Sequence, residues 1–301
     1  SAKATDTFTA RGAHTFSPEF TYHGFRYMKL EGADLPLENV AALVRHTDMK
    51  RTGYIQTANG RFQRLYENVV WGQRGNFVDI PTDCPQRDER LGWTGDINAF
   101  CVTAAYNYDI RFFMKKWLKI LRDDQREDGA VPHVAPDVLG NYHTAAMWSD
   151  AVAMVPWKLY EMYGDVSFLS DNFGAMKKFI AAREQTMENG LIVCGQEFGD
   201  WLGLDRSPFD RNVTGRTDVY YLANVFHLHS LKIVQKTAKI LGDRAAYAQY
   251  REKYRAHLQR VRNAYFTKSG RLALDTLTAQ AVALYFDVVP ARYRKELAAQ
   301  L

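Results

Sequence analysis

The sequence contains no run of about 18 apolar residues, the length a helix needs to cross a bilayer, so no helical membrane span is expected. Cysteine is scarce: Cys84, Cys101 and Cys194 are an odd number, with no metal-ligand spacing. They argue against a disulfide framework and fit a reducing, cytoplasmic compartment better than an oxidising one. The net charge of +5 is spread along the chain with no basic block, which leaves nucleic acid without an electrostatic footprint. Glycine-rich phosphate loops, zinc patterns and serine elbows are all missing, so neither a metal nor an organic cofactor is expected. No internal repeat sets a period. The N-terminal SAKATDTFTARG is polar and has no apolar signal core.

What the chain does have is length for a large domain and a high aromatic content of 13%. It also has one unusual stretch, FVDIPTDCPQRDERLGWTGDINAF (77–100). Asp83, Asp88, Glu89 and Asp96 are crowded there with Arg87, Arg90 and Trp93. Pro81, Pro85, Gly92 and Gly95 prevent one continuous helix or strand. Long ordered loops of this kind are usually functional. Carboxylates of unlike surroundings beside an aromatic wall suit glycosidic bond cleavage: one acid stays protonated to donate, and others stay ionised to hold hydroxyls or activate water.

Residues 1–57 read as β structure, with FTYHGFRYMKL (20–30), VAALVRHTD and TGYIQTA as strands, and a helix as the alternative over 39–46. From about residue 60 the period becomes helical. Phe62, Leu65, Tyr66, Val69 and Val70 form one face of a first helix. Further helices are expected over 96–108, 110–125, 147–164, 167–187, 217–242, 244–266, 277–286 and 291–301. The second of these presents Phe112, Phe113, Trp117, Ile120 and Leu121 on one face. Helix 147–164 is apolar all round and expected to be buried, with Pro156 kinking or ending it. Gly242 should stop the long helix before it. Apolar inner helices alternating with charged outer ones suit a toroid of helical hairpins, with 147–164 inner, and 110–125 and 244–266 outer.

DCPQRDERLGWTGD (83–96) resembles the signature of the bacterial α-L-rhamnosidases of glycoside hydrolase family 78. FTYHGFRYMKLEG is also similar to the last strands of the β-sandwich that precedes the catalytic domain in that family. The resemblance implies a mainly α (α/α)6 toroid over 58–301, expected to be incomplete at its C-terminal end, after the end of a β-sandwich domain over 1–57. It also implies inverting release of terminal α-L-rhamnose. The substrates would be rhamnose-containing glycosides such as flavonoid glycosides, saponins or polysaccharide fragments. No membrane or nucleic-acid partner is implied, and apolar faces at an open end make homo-oligomers an expectation.

Glu89 is the candidate general acid, with Trp93 as an apolar wall that could raise its pKa. The plain alternative is a structural pair with Arg87 or Arg90. The resemblance places Glu89 at the family's proton donor, and Asp83 and Asp96 at its substrate-binding acids. Asp96 is also a candidate N-cap for helix 96–108. Arg87 and Asp88 are read as ion-pair partners behind these groups. Trp93, Trp148 and Trp201 are the stacking candidates, since a deoxyhexose with a methyl group has an apolar face that suits an indole. Trp71, Trp117 and Trp157 are assigned to the core. Asp150 is either a pocket residue or an N-cap.

Glu197 and Asp200 are the in-chain candidates for a second catalytic carboxylate. The family's base is a late glutamate, expected here beyond residue 301, and without it water activation would fall about a hundredfold to ten-thousandfold. His133 and His143 are read as solvated loop histidines, with a pocket rim as the alternative. His227 and His229 fall on different helix faces and are not read as metal ligands. Tyr220 and Tyr221 both remain candidates for the cleft. The rival readings are a non-catalytic rhamnose-binding fragment and an (α/α)6 glycosidase of other specificity.

Overall fold

The computed structural model describes residues 3–33, 35–140, 144–205 and 214–301. Ten α-helices occur among them. They are α1 (Gly60–Asn76), α2 (Thr94–Asn107), α3 (Arg111–Asp123), α4 (Ala151–Tyr163), α5 (Ser167–Ser170), α6 (Phe173–Glu184), α7 (Val219–Ile240), α8 (Arg244–Tyr265), α9 (Leu277–Tyr285) and α10 (Arg294–Ala298). Two small antiparallel hairpins complete the fold: β1 (Phe77–Val78) with β2 (Ile80–Pro81), and β3 (Met187–Glu188) with β4 (Leu191–Ile192). The helical periodicity from residue 60 onward is therefore realised, with 167–187 divided at Asp171 and Asn172.

The helix ends follow from local chemistry. Asn59 caps α1 by accepting from the Arg61 and Phe62 N–H groups. Asp218, Asp243 and Thr276 cap α7, α8 and α9 in the same way, giving the orphan first-turn donors a partner. Gly242 takes φ +78° just after α7, a left-handed conformation that costs glycine no Cβ clash. The short link returns α8 along α7 as an αα-hairpin.

Two helices form the axis of the core. α4 is buried from Ala151 through Pro156 and packs against α2, α3, α6 and α7. Small residues on the facing helix, among them Cys101, Ala104 and Ala105, let α2 approach closely. The Lys158 ammonium binds the Asn98 carbonyl and side-chain oxygen, tying α4 to α2. α7 joins a second cluster, with α6 and α8, to a third that contains α9. α3 and α8 bury one face each, so the expected division into inner and outer helices is present.

Several local expectations are corrected. The described residues of 3–57 form no strand beyond a single bridge from Arg51 to Tyr108, because strands exist by pairing and this extended segment meets no strand partner. On α1 the buried residues are Val70 and Gln73, whereas Phe62 and Leu65 are exposed because no described element covers that stripe. Phe112 is likewise exposed on α3. Trp71 is exposed beneath the Arg74 guanidinium, and only Trp117 of the three core-assigned indoles is fully buried. α4 continues through Pro156 to Tyr163, since tight packing on every side offsets the one lost backbone hydrogen bond.

Candidate active site

The acidic stretch folds as a closed loop between the β1–β2 hairpin and α2. Asp83 and Leu91 meet back to back: the Asp83 N–H donates to the Leu91 carbonyl at 3.1 Å, and the Leu91 N–H donates to Asp83 Oδ1 at 2.9 Å. This fixes both ends of 84–90. The Cys84 thiol accepts from the Arg90 N–H inside the loop, and burial raises its pKa. Two outer contacts brace the loop: the Gly24 N–H donates to the Pro85 carbonyl, and Arg90 donates to the Tyr22 carbonyl while lying over its ring. The far side pairs with 133–135. Trp93 bridges Val134, Thr94 donates twice to the His133 carbonyl, and the Ala135 N–H donates to the Gly92 carbonyl. A Cβ on Gly92 would stand 2.1 Å from the Ala135 oxygen, which is why glycine is needed there.

Arg87 spans two of the predicted acids. Its Nε donates to Glu89 Oε2 at 2.8 Å and its Nη2 to Asp83 Oδ2 at 3.2 Å. The structural pairing weighed for Glu89 is thus present, and Glu89 keeps 37% of its side chain exposed. Asp88 points elsewhere and accepts from the Lys3 N–H, so it is not an ion-pair partner of this group. Asp83, Cys84 and Glu89 form the one cluster of potential metal-ligand atoms among the described residues, all within 4.8 Å of one another. Arg87 already bonds both carboxylates, and burial favours the protonated Cys84 thiol, a poor ligand, so the donor set does not fit a resident cation.

Asp96 lies in the first turn of α2, with Trp93 in the N-cap position, so it is not the cap. The residue is exposed, yet its carboxyl is pushed up to about 6, first by desolvation and then by repulsion from Asp83 and Glu89. Asp96 is therefore close enough to both acids to feel their charge.

The three predicted stacking indoles converge, and Phe198 joins them. Its ring centroid lies 4.4 Å from Trp148, 5.6 Å from Trp201 and 6.2 Å from Trp93. Trp201 is the most open, at 47% exposed; Trp148 is 8% exposed. Gly95, beside Asp96, is packed flat on Trp148, where a Cβ would stand 2.7 Å from the indole. The wall thus abuts the first turn of α2. Phe198 was not legible as a site residue; its one signal is its place in EFGDW, between the two loop acids.

Glu197 is not an available base. It is buried against Arg183 at 2.7 Å, and its other oxygen accepts from the Ala146 N–H at 2.6 Å. Burial raises its pKa, while Arg183 opposes this and favours the ionised pair. Its role is to fasten the 197–201 loop to the segment carrying Trp148. Asp200 accepts from the Thr278 hydroxyl at 2.6 Å. Asp150 occupies the N-cap position of α4 but is a buried core acid, bound to the Met147 N–H and the Ser230 hydroxyl. His133 is buried rather than solvated, with Nε2 accepting from the Ala145 N–H and its ring against Phe198. His143 lies outside the described residues. Tyr221 is core, bonded to the Ala279 carbonyl, whereas the Tyr220 hydroxyl reaches the Gly195 carbonyl beside the aromatic loop.

Clustered carboxylates thus lie beside a wall of aromatic rings on a scaffold of helical hairpins. Residues 50–301 match the bacterial alpha-L-rhamnosidase 6 hairpin glycosidase domain, and residues 1–46 match the bacterial alpha-L-rhamnosidase concanavalin-like domain. The chain belongs to the bacterial alpha-L-rhamnosidase family, with its helical part in the six-hairpin glycosidase class. It is 37% identical over its whole length to an alpha-L-rhamnosidase of Formosa agariphila, of which it covers 33%. The native alpha-L-rhamnosidase of Aspergillus terreus superposes with a TM-score of 0.87 at 37% identity, over 95% of this chain and 34% of that one. The Streptomyces avermitilis alpha-L-rhamnosidase complexed with L-rhamnose gives 0.77 at 36% identity, over 85% and 24%. The chain thus spans about a third of the length of the curated relatives it matches.

Proposed function

We propose that the chain supplies the acid-bearing part of a glycoside hydrolase site that releases terminal α-L-rhamnose. The observation that carries this is the convergence of Asp83, Glu89 and Asp96 beside Trp93, Trp148, Trp201 and Phe198. Glu89 would protonate the glycosidic oxygen. Asp83 and Asp96 would accept from sugar hydroxyls and stabilise positive charge developing at the anomeric carbon. The rings would take the apolar face and methyl group of the sugar.

In this reading the reaction inverts configuration, and the water-activating base lies beyond residue 301. Residues 58–301 are the catalytic part, and 1–57 the tail of a preceding β-domain. Rhamnose-containing flavonoid glycosides, saponins or polysaccharide fragments are the substrates. Arg87 must release Glu89 before that acid can donate, because the Arg87 Nε–H already occupies Glu89 Oε2 at 2.8 Å. This favours a second reading for the free site: Asp96, already at about 6, is the better poised donor.

The test is nitrophenol release from an aryl α-L-rhamnoside by the wild type and by Glu89→Gln. Release that collapses in the variant supports the assignment. Equal release in both removes Glu89 from the chemistry. Saturable L-rhamnose binding without release identifies a sugar-binding fragment, and preference for another aryl glycoside identifies a different specificity.

A further inference from the structure

A cavity of about 490 Å³ opens between α6, α7, α8 and the β3–β4 hairpin, on elements that carry none of the candidate catalytic residues. Its size is that of a small-molecule site. His227 and His257 line it from α7 and α8, only 2% and 3% exposed, with ring centroids 4.9 Å apart. His227 Nδ1 and His257 Nε2 are buried and have no hydrogen-bond partner among the described residues. Buried polar atoms are normally satisfied, so two orphans on one cavity call for an explanation. His257 Nδ1 lies 3.1 Å from the Gly190 carbonyl, and the Asn224 carbonyl also faces this ring, so the neutral imidazole has an acceptor waiting in more than one tautomer. A hydroxyl, which both donates and accepts, suits the orphan Nε2 in either tautomer.

The rest of the lining restricts what can supply one. Glu184 and Glu252 face Lys253 and Arg260, two acids against two bases, so the lining is electrically neutral when the histidines are neutral. Burial keeps them so, lowering His257 to about 4 against the pull of the Gly190 and Asn224 carbonyls, and lowering His227 as well. A cation would meet Lys253 and Arg260, and an anion would meet Glu184 and Glu252. Glu184 and Lys253 already bind each other at 2.5 Å, so the wall is set without a ligand charge. Met187, Leu231 and Ala256 add apolar surface between these polar groups. Gly190 keeps the Arg260 guanidinium close to the hairpin, since a Cβ there would stand 2.6 Å from its Nε.

We propose that this cavity is a second binding site for a neutral polyhydroxylated ligand, a monosaccharide or the end of a short oligosaccharide. Its hydroxyls bond His257 Nε2, donate to the carboxylates of Glu184 and Glu252 and accept from Lys253 and Arg260, while its C–H face lies on Met187, Leu231 and Ala256. The site is separate from the acidic loop and does not depend on its chemistry.

The test follows the histidine ring resonances of the whole chain, labelled at histidine, during titration with methyl α-D-glucopyranoside and with L-rhamnose. Saturable shifts of the His227 and His257 signals, retained in Asp96→Asn and lost in Ala256→Trp, which fills the cavity from an exposed helix position, are expected. Equal thermal midpoints of Ala256→Trp and the wild type show that the loss is not unfolding. The proposal is overturned if neither sugar moves these signals, if the shifts survive Ala256→Trp, or if they vanish in Asp96→Asn. It is also overturned if only inorganic phosphate or zinc chloride produces them.

Discussion

Glu197→Gln should destabilise the protein heavily, because Glu197 belongs to a buried ion pair rather than to the chemistry. Glu197 and Arg183 retain 1% and 2% of their side-chain exposure and meet at 2.7 Å. The Arg183 guanidinium also donates to the Thr144 carbonyl, and the second Glu197 oxygen takes the Ala146 N–H. Glutamine preserves shape but offers one acceptor where two are used, and turns an amide toward a donor. It also leaves a buried cation without its counter-ion. Breaking such a pair costs about 3–5 kcal/mol. With an unfolding entropy of about 2.1 cal/mol/K per residue, the 301-residue chain loses roughly 1.6 °C per kcal/mol, so the midpoint should fall by about 5–8 °C.

Calorimetry gives the shift, and near-ultraviolet circular dichroism should show the Trp148, Phe198 and Trp201 cluster loosening with it. Arg183→Met combined with Glu197→Leu buries no charge and should recover most of the loss. A midpoint within about 2 °C of wild type for Glu197→Gln, or a double variant no better than the single, would refute the reasoning.

Asp96 makes stability depend on pH. Its folded pKa of about 6 lies above the unfolded value of about 3.9. The folded state therefore holds the extra proton between these values, and this contribution is full below about 4 and lost as pH rises through about 6. Urea midpoints of the wild type should rise relative to Asp96→Asn as pH falls through that window, and parallel curves would contradict the assignment. Gly95→Ala drives a methyl into Trp148 at 2.7 Å. Overpacking of this kind costs about 1–3 kcal/mol. The thermal midpoint should drop and the L-rhamnose titration weaken, whereas an unchanged titration would place Trp148 outside the site.

The helices were legible because burial repeats with the helical period: α4 is apolar all round and is the buried axis, and Gly242 ends α7 where a left-handed residue is needed. The acidic loop was legible because its residue types are costly to place together without purpose. The strands of 1–57 were not, because pairing partners are a property of the fold and not of the segment. Glu197 and Asp150 looked like site acids by their neighbours, yet the sequence carries no sign that Arg183 and Ser230, remote in the chain, would bury them. Phe198 escaped notice for the same reason: its contacts with Trp93 and Trp148 join distant loops.

The identity of the proton donor is tested most directly by leaving-group dependence. Rhamnose release would be measured from methyl and nitrophenyl α-L-rhamnoside with the wild type, Glu89→Gln and Asp96→Asn. A poor leaving group needs protonation and an activated one does not. Glu89→Gln should slow the methyl glycoside by about a hundredfold to ten-thousandfold and the nitrophenyl glycoside far less, while Asp96→Asn slows both alike. The reverse pattern would transfer the donor role to Asp96, and a Glu89→Gln protein as fast as wild type on both would contradict the account.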